Sequence, residues 1–160
     1  MKKAFCLLFG IFSIIGLAGC AESKQQQLTS GAYNMYDGYL KIEDNKLLVN
    51  DFKFIDSTEQ YWIDNLGLTE ADMPDGYYIY DNSDEEKTFY LNDETRYNFY
   101  DTGRQFVSET DENILYTTTD INDFLKKFDS DGDGDLDKTP FKIQVFEDGN
   151  VISVSEIFVN

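Results

Sequence analysis

Between residues 38 and 55 the chain reads GYLKIEDNKLLVNDFKFI, alternating apolar and polar positions on either side of Asp44-Asn45. A two-residue turn there sets Ile42 opposite Leu47 and Leu40 opposite Val49, so these four share one face. Lys41, Glu43 and Lys46 fall on the other face, with Leu48 the exception, which predicts a hairpin laid over a core. The following STEQYWIDNLG predicts a short helix over about 58–66. Ser57 and Gln60 offer a capping box, Gly67 a stop, and Trp62, Ile63 and Leu66 the buried side. Pro74-Asp75-Gly76 ends any further turn. Strands are predicted near 77–81, 87–91 and 95–100, and residues 101–113 are polar without a period. TTTDINDFLKKF has the clearest helical pattern, with Ile121, Phe124, Leu125 and Phe128 at i, i+3, i+4 and i+7. After Pro140 a second hairpin turns at Asp148-Gly149. It places Phe141, Ile143, Val145, Ile152 and Val154 on one face and Lys142, Gln144, Ser153 and Ser155 on the other.

The fold class is therefore mainly β with two short helices, in a single domain over residues 36–160. Three strands, a helix and a two-strand ending resemble the element order of the OB-like barrel. The expected architecture is a small antiparallel OB-like barrel or a strongly bent sheet.

The first twenty residues, MKKAFCLLFGIFSIIGLAGC, join Lys2 and Lys3 to an apolar run from Ala4 to Ala18, the form of an export signal and too short for a membrane span. Leu17-Ala18-Gly19-Cys20 resembles the lipobox of bacterial lipoproteins. That resemblance implies a signal peptide over 1–19, acylation of Cys20 as the new N-terminus, and an extracytoplasmic protein anchored through lipid to the cell membrane. Two acyl chains on a diacylated end are the number that durable anchoring needs. The polar stretch after Cys20 predicts a flexible tether over 20–35. The layout, with its acidic helix and Pro-led final hairpin, also resembles lipoproteins of Gram-positive bacteria whose role is uncharacterised, and this implies no activity.

Thirty-one acidic residues against thirteen basic ones give a formal charge of −18, more negative still once Lys2 and Lys3 leave with the leader. Such a balance excludes nucleic acid as a partner and disfavours adsorption on anionic lipid, since both need a basic surface. It suits cations, a basic protein, or solubility alone. There is no histidine, Cys6 leaves with the leader and Cys20 is acylated, so Ser-His-Asp and Cys-His nucleophiles and the usual zinc sites are excluded. Carboxylate, lysine and tyrosine chemistry remain, together with metals that take oxygen ligands.

One motif suits such a metal. In FDSDGDGDLDKTPF, residues 128–141, five aspartates recur at every second position. A tight loop turns alternate side chains inward, and hard carboxylate oxygens suit calcium. The stretch resembles an EF-hand calcium loop, with Asp129, Asp131 and Asp133 at positions 1, 3 and 5, Gly134 at 6, Asp135 giving the position-7 carbonyl, Leu136 at the usual apolar place and Asp137 at 9. It departs from that loop at position 12, where Pro140 replaces the bidentate glutamate and a strand follows. The resemblance is to helix-loop-strand variants of exported proteins, which implies one structural calcium of modest affinity and a last ligand from elsewhere. Glu147, Asp148 and the acidic cluster at 81–86 are candidates. A plain acidic turn made flexible by Gly132 and Gly134 stays open as the alternative.

Eleven tyrosines give a second candidate surface. Tyr78, Tyr80, Tyr90 and Tyr97 lie on predicted strands, where outward rings could stack sugars or a peptide, although strands favour aromatics in any case. Carboxylate pairs such as Asp84 with Glu86, or Glu109 with Asp111, allow a hydrolase in principle, but so acidic a chain yields such pairs by chance. The expected role is non-catalytic binding or scaffolding. A tyrosine-based glycan or peptide module and a carboxylate hydrolase are the alternatives.

Overall fold

A computed structural model of the chain describes residues 32–81, 85–136 and 139–159. The expectations for the leader, for Cys20, for Asp84 and for Asp137 lie outside these residues.

The first hairpin has the register its pattern predicts. Strands β1 (Tyr33–Glu43) and β2 (Lys46–Asp56) pair Ile42 with Leu47 and Leu40 with Val49, and all four are buried. Asp44 takes a left-handed φ of 57°, as a two-residue turn requires and as aspartate tolerates. Strand β1 starts earlier than its alternation suggested, so Tyr33 to Met35, assigned by sequence to the tether, belong to the sheet.

Helix α1 (Gln60–Leu66) is shorter than predicted, and its capping box does not form. Asp56 takes that role, its Oδ1 accepting the N–H (2.7 Å) and hydroxyl of Thr58 and tightening the turn before the helix. The helix buries no residue; Trp62, Ile63 and Leu66 are half-exposed. Strands β3 (Tyr77–Tyr80), β4 (Glu86–Tyr90) and β5 (Arg96–Tyr100) fall where predicted, and β6 (Leu115–Thr118) is added from a segment too short to show a period.

Helix α2 (Ile121–Phe128) carries the clearest pattern into structure. Asp120 caps it by accepting from the N–H of Asn122 at 2.9 Å, and Lys126 and Lys127 sit in the last turn, where cations complement the helix dipole. Its Phe124 is fully buried and stacks on Tyr97 at 4.8 Å, with Phe99, Phe128 and Phe141 around it.

The last hairpin, β7 (Phe141–Phe146) and β8 (Val151–Glu156), departs from its pattern. Ile143 faces Val154 and Gln144 faces Ser153, but Val145 faces Val151, so Ile152 is an extra residue in a β-bulge. The bulge turns Val151 into the core and leaves Ile152 half-buried, reversing the predicted roles of the two.

The strands form one mixed sheet in the order β3-β2-β1-β7-β8-β5-β6, with β4 also on β2. This sheet does not close into a barrel, and it is not wholly antiparallel, because β5 runs parallel to β8. The chain leaves β2 after Tyr90, turns through Asn92 to Thr95 and joins β8, so among the described residues β4 pairs with the last hairpin only at an isolated bridge from Tyr90 to Asn150. A single bridge cannot continue the ladder on which closure depends.

Asp101 secures the loop after β5. Though 1% exposed, its carboxylate accepts the backbone N–H groups of Gln105, Phe106 and Val107 at 2.7–2.9 Å. Burial opposes its ionisation, but these donors, with the Lys127 charge, outweigh burial and hold its pKa below the usual value. A lowered pKa contributes stability above the unfolded value of about 3.9, lost as pH falls through the folded one. Asp101→Ala is expected to cost roughly 2–4 kcal/mol at pH 7, because three donors lose their acceptor. Urea unfolding should show that difference shrinking at pH 3, and a difference independent of pH would refute the assignment.

Candidate metal centre in the aspartate loop

The aspartate loop is anchored at both ends. Upstream, Asp129 ends α2 and donates its N–H to the Leu125 carbonyl at 2.8 Å. Downstream, the loop runs along β1: the Ile42 N–H donates to the Gly134 carbonyl at 2.8 Å, and the Leu136 N–H to the Leu40 carbonyl at 2.7 Å. Leu136, at the position where the resemblance asks for an apolar residue, is buried in the core. The loop thus extends, along β1, the edge that β7 covers over Tyr33–Gly38.

Two glycines allow this path. Gly132 and Gly134 have φ of 77° and 79°, in the left-handed region. At Gly134 space is also limiting, since a Cβ there would lie 2.3 Å from the Ile42 carbonyl oxygen.

Three of the five predicted aspartates are brought together. Asp129, Asp131 and Asp133 each present a carboxylate oxygen, all within 4.8 Å of one another. Oxygens sharing a calcium at 2.3–2.6 Å lie at most about 5 Å apart, so the three fit one ion. Asp129 is fixed by accepting from the N–H groups of Gly132 (2.9 Å) and Gly134 (3.1 Å), and Asp133 accepts from Asp135 at 2.8 Å. A carboxylate has about four lone-pair directions, so each retains acceptor capacity for a metal.

Asp135 contributes differently. It faces Lys41 in a bridge whose hydrogen bonds use Gly134 and Leu136, so its own N–H and C=O point away from β1. Its N–H meets Asp133, which places the main chain of Asp135, and not its carboxylate, beside the cluster.

No other carboxylate among the described residues joins these three. Glu147 and Asp148 sit in the β7–β8 turn, where Asp148 accepts from the Asn150 N–H, and Asp81 and Glu85 precede β4, which Glu86 begins, so none of these joins the cluster as the ligand missing at Pro140. Each pair of carboxylates at this spacing repels by about 1 kcal/mol even in bulk water. Lys41 is one cation that feels the loop. Its pKa is raised first by its hydrogen bond to Glu43 and the Glu43 charge, then by Asp135 and Asp133.

The tyrosines do not form one surface. Tyr97 is 1% exposed, packed on Phe124, with burial pushing its phenol up to about 12, so it belongs to the core and not to a ligand face. Tyr78 and Tyr80 are half-buried on β3 opposite Ile55 and Lys53, whereas Tyr90 is exposed at the end of β4 opposite Lys46. Lys46 and Lys53 are seven positions apart on β2, about 23 Å of strand, so Tyr90 shares no platform with the other two.

No family model, no curated protein and no solved structure matches the chain.

Proposed function

We propose that this chain is a lipid-anchored, extracytoplasmic, non-catalytic binding or scaffolding module whose β-rich domain carries one structural calcium ion in the loop from Asp129 to Asp137. The observation that carries the calcium reading is the convergence of Asp129, Asp131 and Asp133 within 4.8 Å at a junction of helix and sheet. An ion there would offset the carboxylate repulsion and tie the end of α2 to β1. Asp129, Asp131 and Asp133 would give side-chain oxygens and Asp135 its carbonyl. With Pro140 in place of a bidentate glutamate, affinity is expected at about 10⁻⁴ to 10⁻³ M, the range of extracellular modules. Acylation at Cys20 is supported by the lipobox-like sequence before it. A Cys20→Ser variant released from membranes into the soluble fraction would support the anchor.

The calcium test is thermal unfolding of the full chain in nonionic detergent, stripped with chelator and titrated with calcium, with magnesium as control. Calcium at about 10 to 100 times Kd stabilises a one-site protein by about 1.4–2.7 kcal/mol. The expected result is a calcium-specific rise in Tm that Asp131→Ala abolishes. Equal melting with and without calcium up to 10 mM, a concentration about tenfold or more above the expected Kd, would make the loop a plain acidic turn.

A further inference from the structure

The sheet face opposite α2 carries a polar floor that the calcium reading leaves unused. Side chains alternate along a strand, so Tyr97 and Phe99 go to the core and Arg96 and Asn98 to this face; Phe141 and Ile143 go in, and Lys142 and Gln144 out. Register then aligns one cross-strand row, Thr117, Asn98, Ser155, Lys142 and Asp37, on five strands. Thr117 donates to Asn98 at 2.9 Å, and the Asn98 amide donates to Ser155 at 3.0 Å, so the row is held by its own hydrogen bonds. A second row places Arg96 beside Ser153, which donates to Gln144 at 3.0 Å. Between the rows lies a groove of about 370 Å³, near the low end of ligand-sized cavities.

Cations stand at the two sides of this groove. The Arg96 guanidinium has no hydrogen-bond or ion-pair partner among the described residues, in a chain with 31 acidic side chains. Lys142 is loosely engaged, its Nζ 4.0 Å from Asp37 Oδ1 and its side chain half-exposed. Their strands, β5 and β7, are separated only by β8 and the two positions are two residues out of register, so they lie about 12 Å apart along the sheet. Two cations spaced along one groove suit a ligand that carries two anionic groups. A planar carboxylate suits the guanidinium fork, and the hydroxyls and amides between the cations suit ligand hydroxyls. The overall negative charge does not prevent this, because at 0.1 M salt charges farther than about 10 Å are largely screened.

We infer that this groove binds an acidic oligosaccharide, with one uronic carboxylate on Arg96, sugar hydroxyls on the Asn98, Ser153 and Ser155 floor, and the next residue's carboxylate at Lys142. The inference does not depend on the aspartate loop, and its test uses calcium-free buffer.

The test titrates digalacturonic acid into the full chain, held in a detergent without a sugar headgroup, and follows backbone amide shifts. Cellobiose serves as the neutral control and sulfate as the small anion. The expected result is saturable shifts centred on Asn98, Ser153 and Ser155, with Kd on the order of 1 mM. Arg96→Gln should weaken binding about tenfold or more with Tm unchanged, the effect of losing a charge-assisted bidentate contact. Lys142→Gln should weaken it less. Equal binding of cellobiose, equal binding of sulfate, or no shift in the wild type up to tens of times that Kd would each overturn the inference, and the wild-type titration decides even if a variant fails to fold.

Discussion

Gly134→Ala is expected to destabilise the domain by about 3 kcal/mol or more, against about 1 kcal/mol for Gly132→Ala. Both glycines adopt left-handed φ, so both variants strain an L-residue backbone. Only at Gly134 does the new methyl collide, since the Ile42 carbonyl oxygen would lie 2.3 Å away, whereas nothing lies within 4 Å at Gly132. The carbonyl cannot swing aside: Ile42 belongs to β1, paired to β2 on one edge and donating its own N–H to Gly134 on the other. Relief therefore means pulling the loop off β1 and drawing Leu136 from the core. For a domain of this size, thermal melting should fall by about 10 °C, with Gly132→Ala losing a few degrees. Calcium stabilisation should disappear with the Gly134 variant and survive in the other. Equal losses at the two positions would show that the loop does not lie against β1.

Phe124→Ala should cost about 3–5 kcal/mol, as for other buried aromatics truncated in a core. The ring is fully buried and touches aromatic neighbours from two strands and its own helix, so the vacated space is lined by rigid rings that collapse poorly. Tyr61→Ala, at a position 72% exposed on α1, should change stability by no more than about 0.5 kcal/mol. A second readout is the Tyr97 phenol, held at about 12 by burial under that ring. In the folded variant its pKa should fall toward the ordinary value of about 10, measurable by NMR of labelled tyrosine. The linkage has a definite sign. A phenol raised in the folded state binds more protons than the unfolded chain at alkaline pH, so the wild type should lose stability as pH rises from about 10 to 12, and Phe124→Ala should lose less over that window.

These two sites differ in how far they could be read from residues alone. Phe124 was legible as core because Ile121, Phe124, Leu125 and Phe128 share a helical period, and a helix has to bury such a stripe. The aspartate cluster was legible for a similar local reason: residues two apart in a tight loop turn to the same side. The contact at Gly134 was not, because it depends on β1, more than ninety positions earlier in the chain. Tyr97 was misread for the complementary reason. Alternation says only that neighbours face opposite ways, and which face of β5 is covered depends on where α2 lands. The bulge at Val145 and Val151 shows the same limit, since one extra residue reverses a face without changing the composition that announces the strand. At α1 a valid capping pattern lost to a competitor one residue away, Asp56, whose carboxylate reached Thr58 first.

The sequence by itself determined the first hairpin and its register, helix α2, the mainly β class and the clustering of carboxylates after residue 128. Each is settled by chain neighbours within a dozen or so residues, where spacing and turn chemistry leave few alternatives. The tertiary structure decided what lies beside what: an open mixed sheet in place of a barrel, β5 parallel to β8, the loop seated on β1, and Arg96 and Lys142 brought to one polar floor from either side of β8. Those pairings close long loops at an entropic cost that rises only slowly with length. Partner choice therefore rests on the burial and hydrogen bonds of the whole assembly, which no local pattern records.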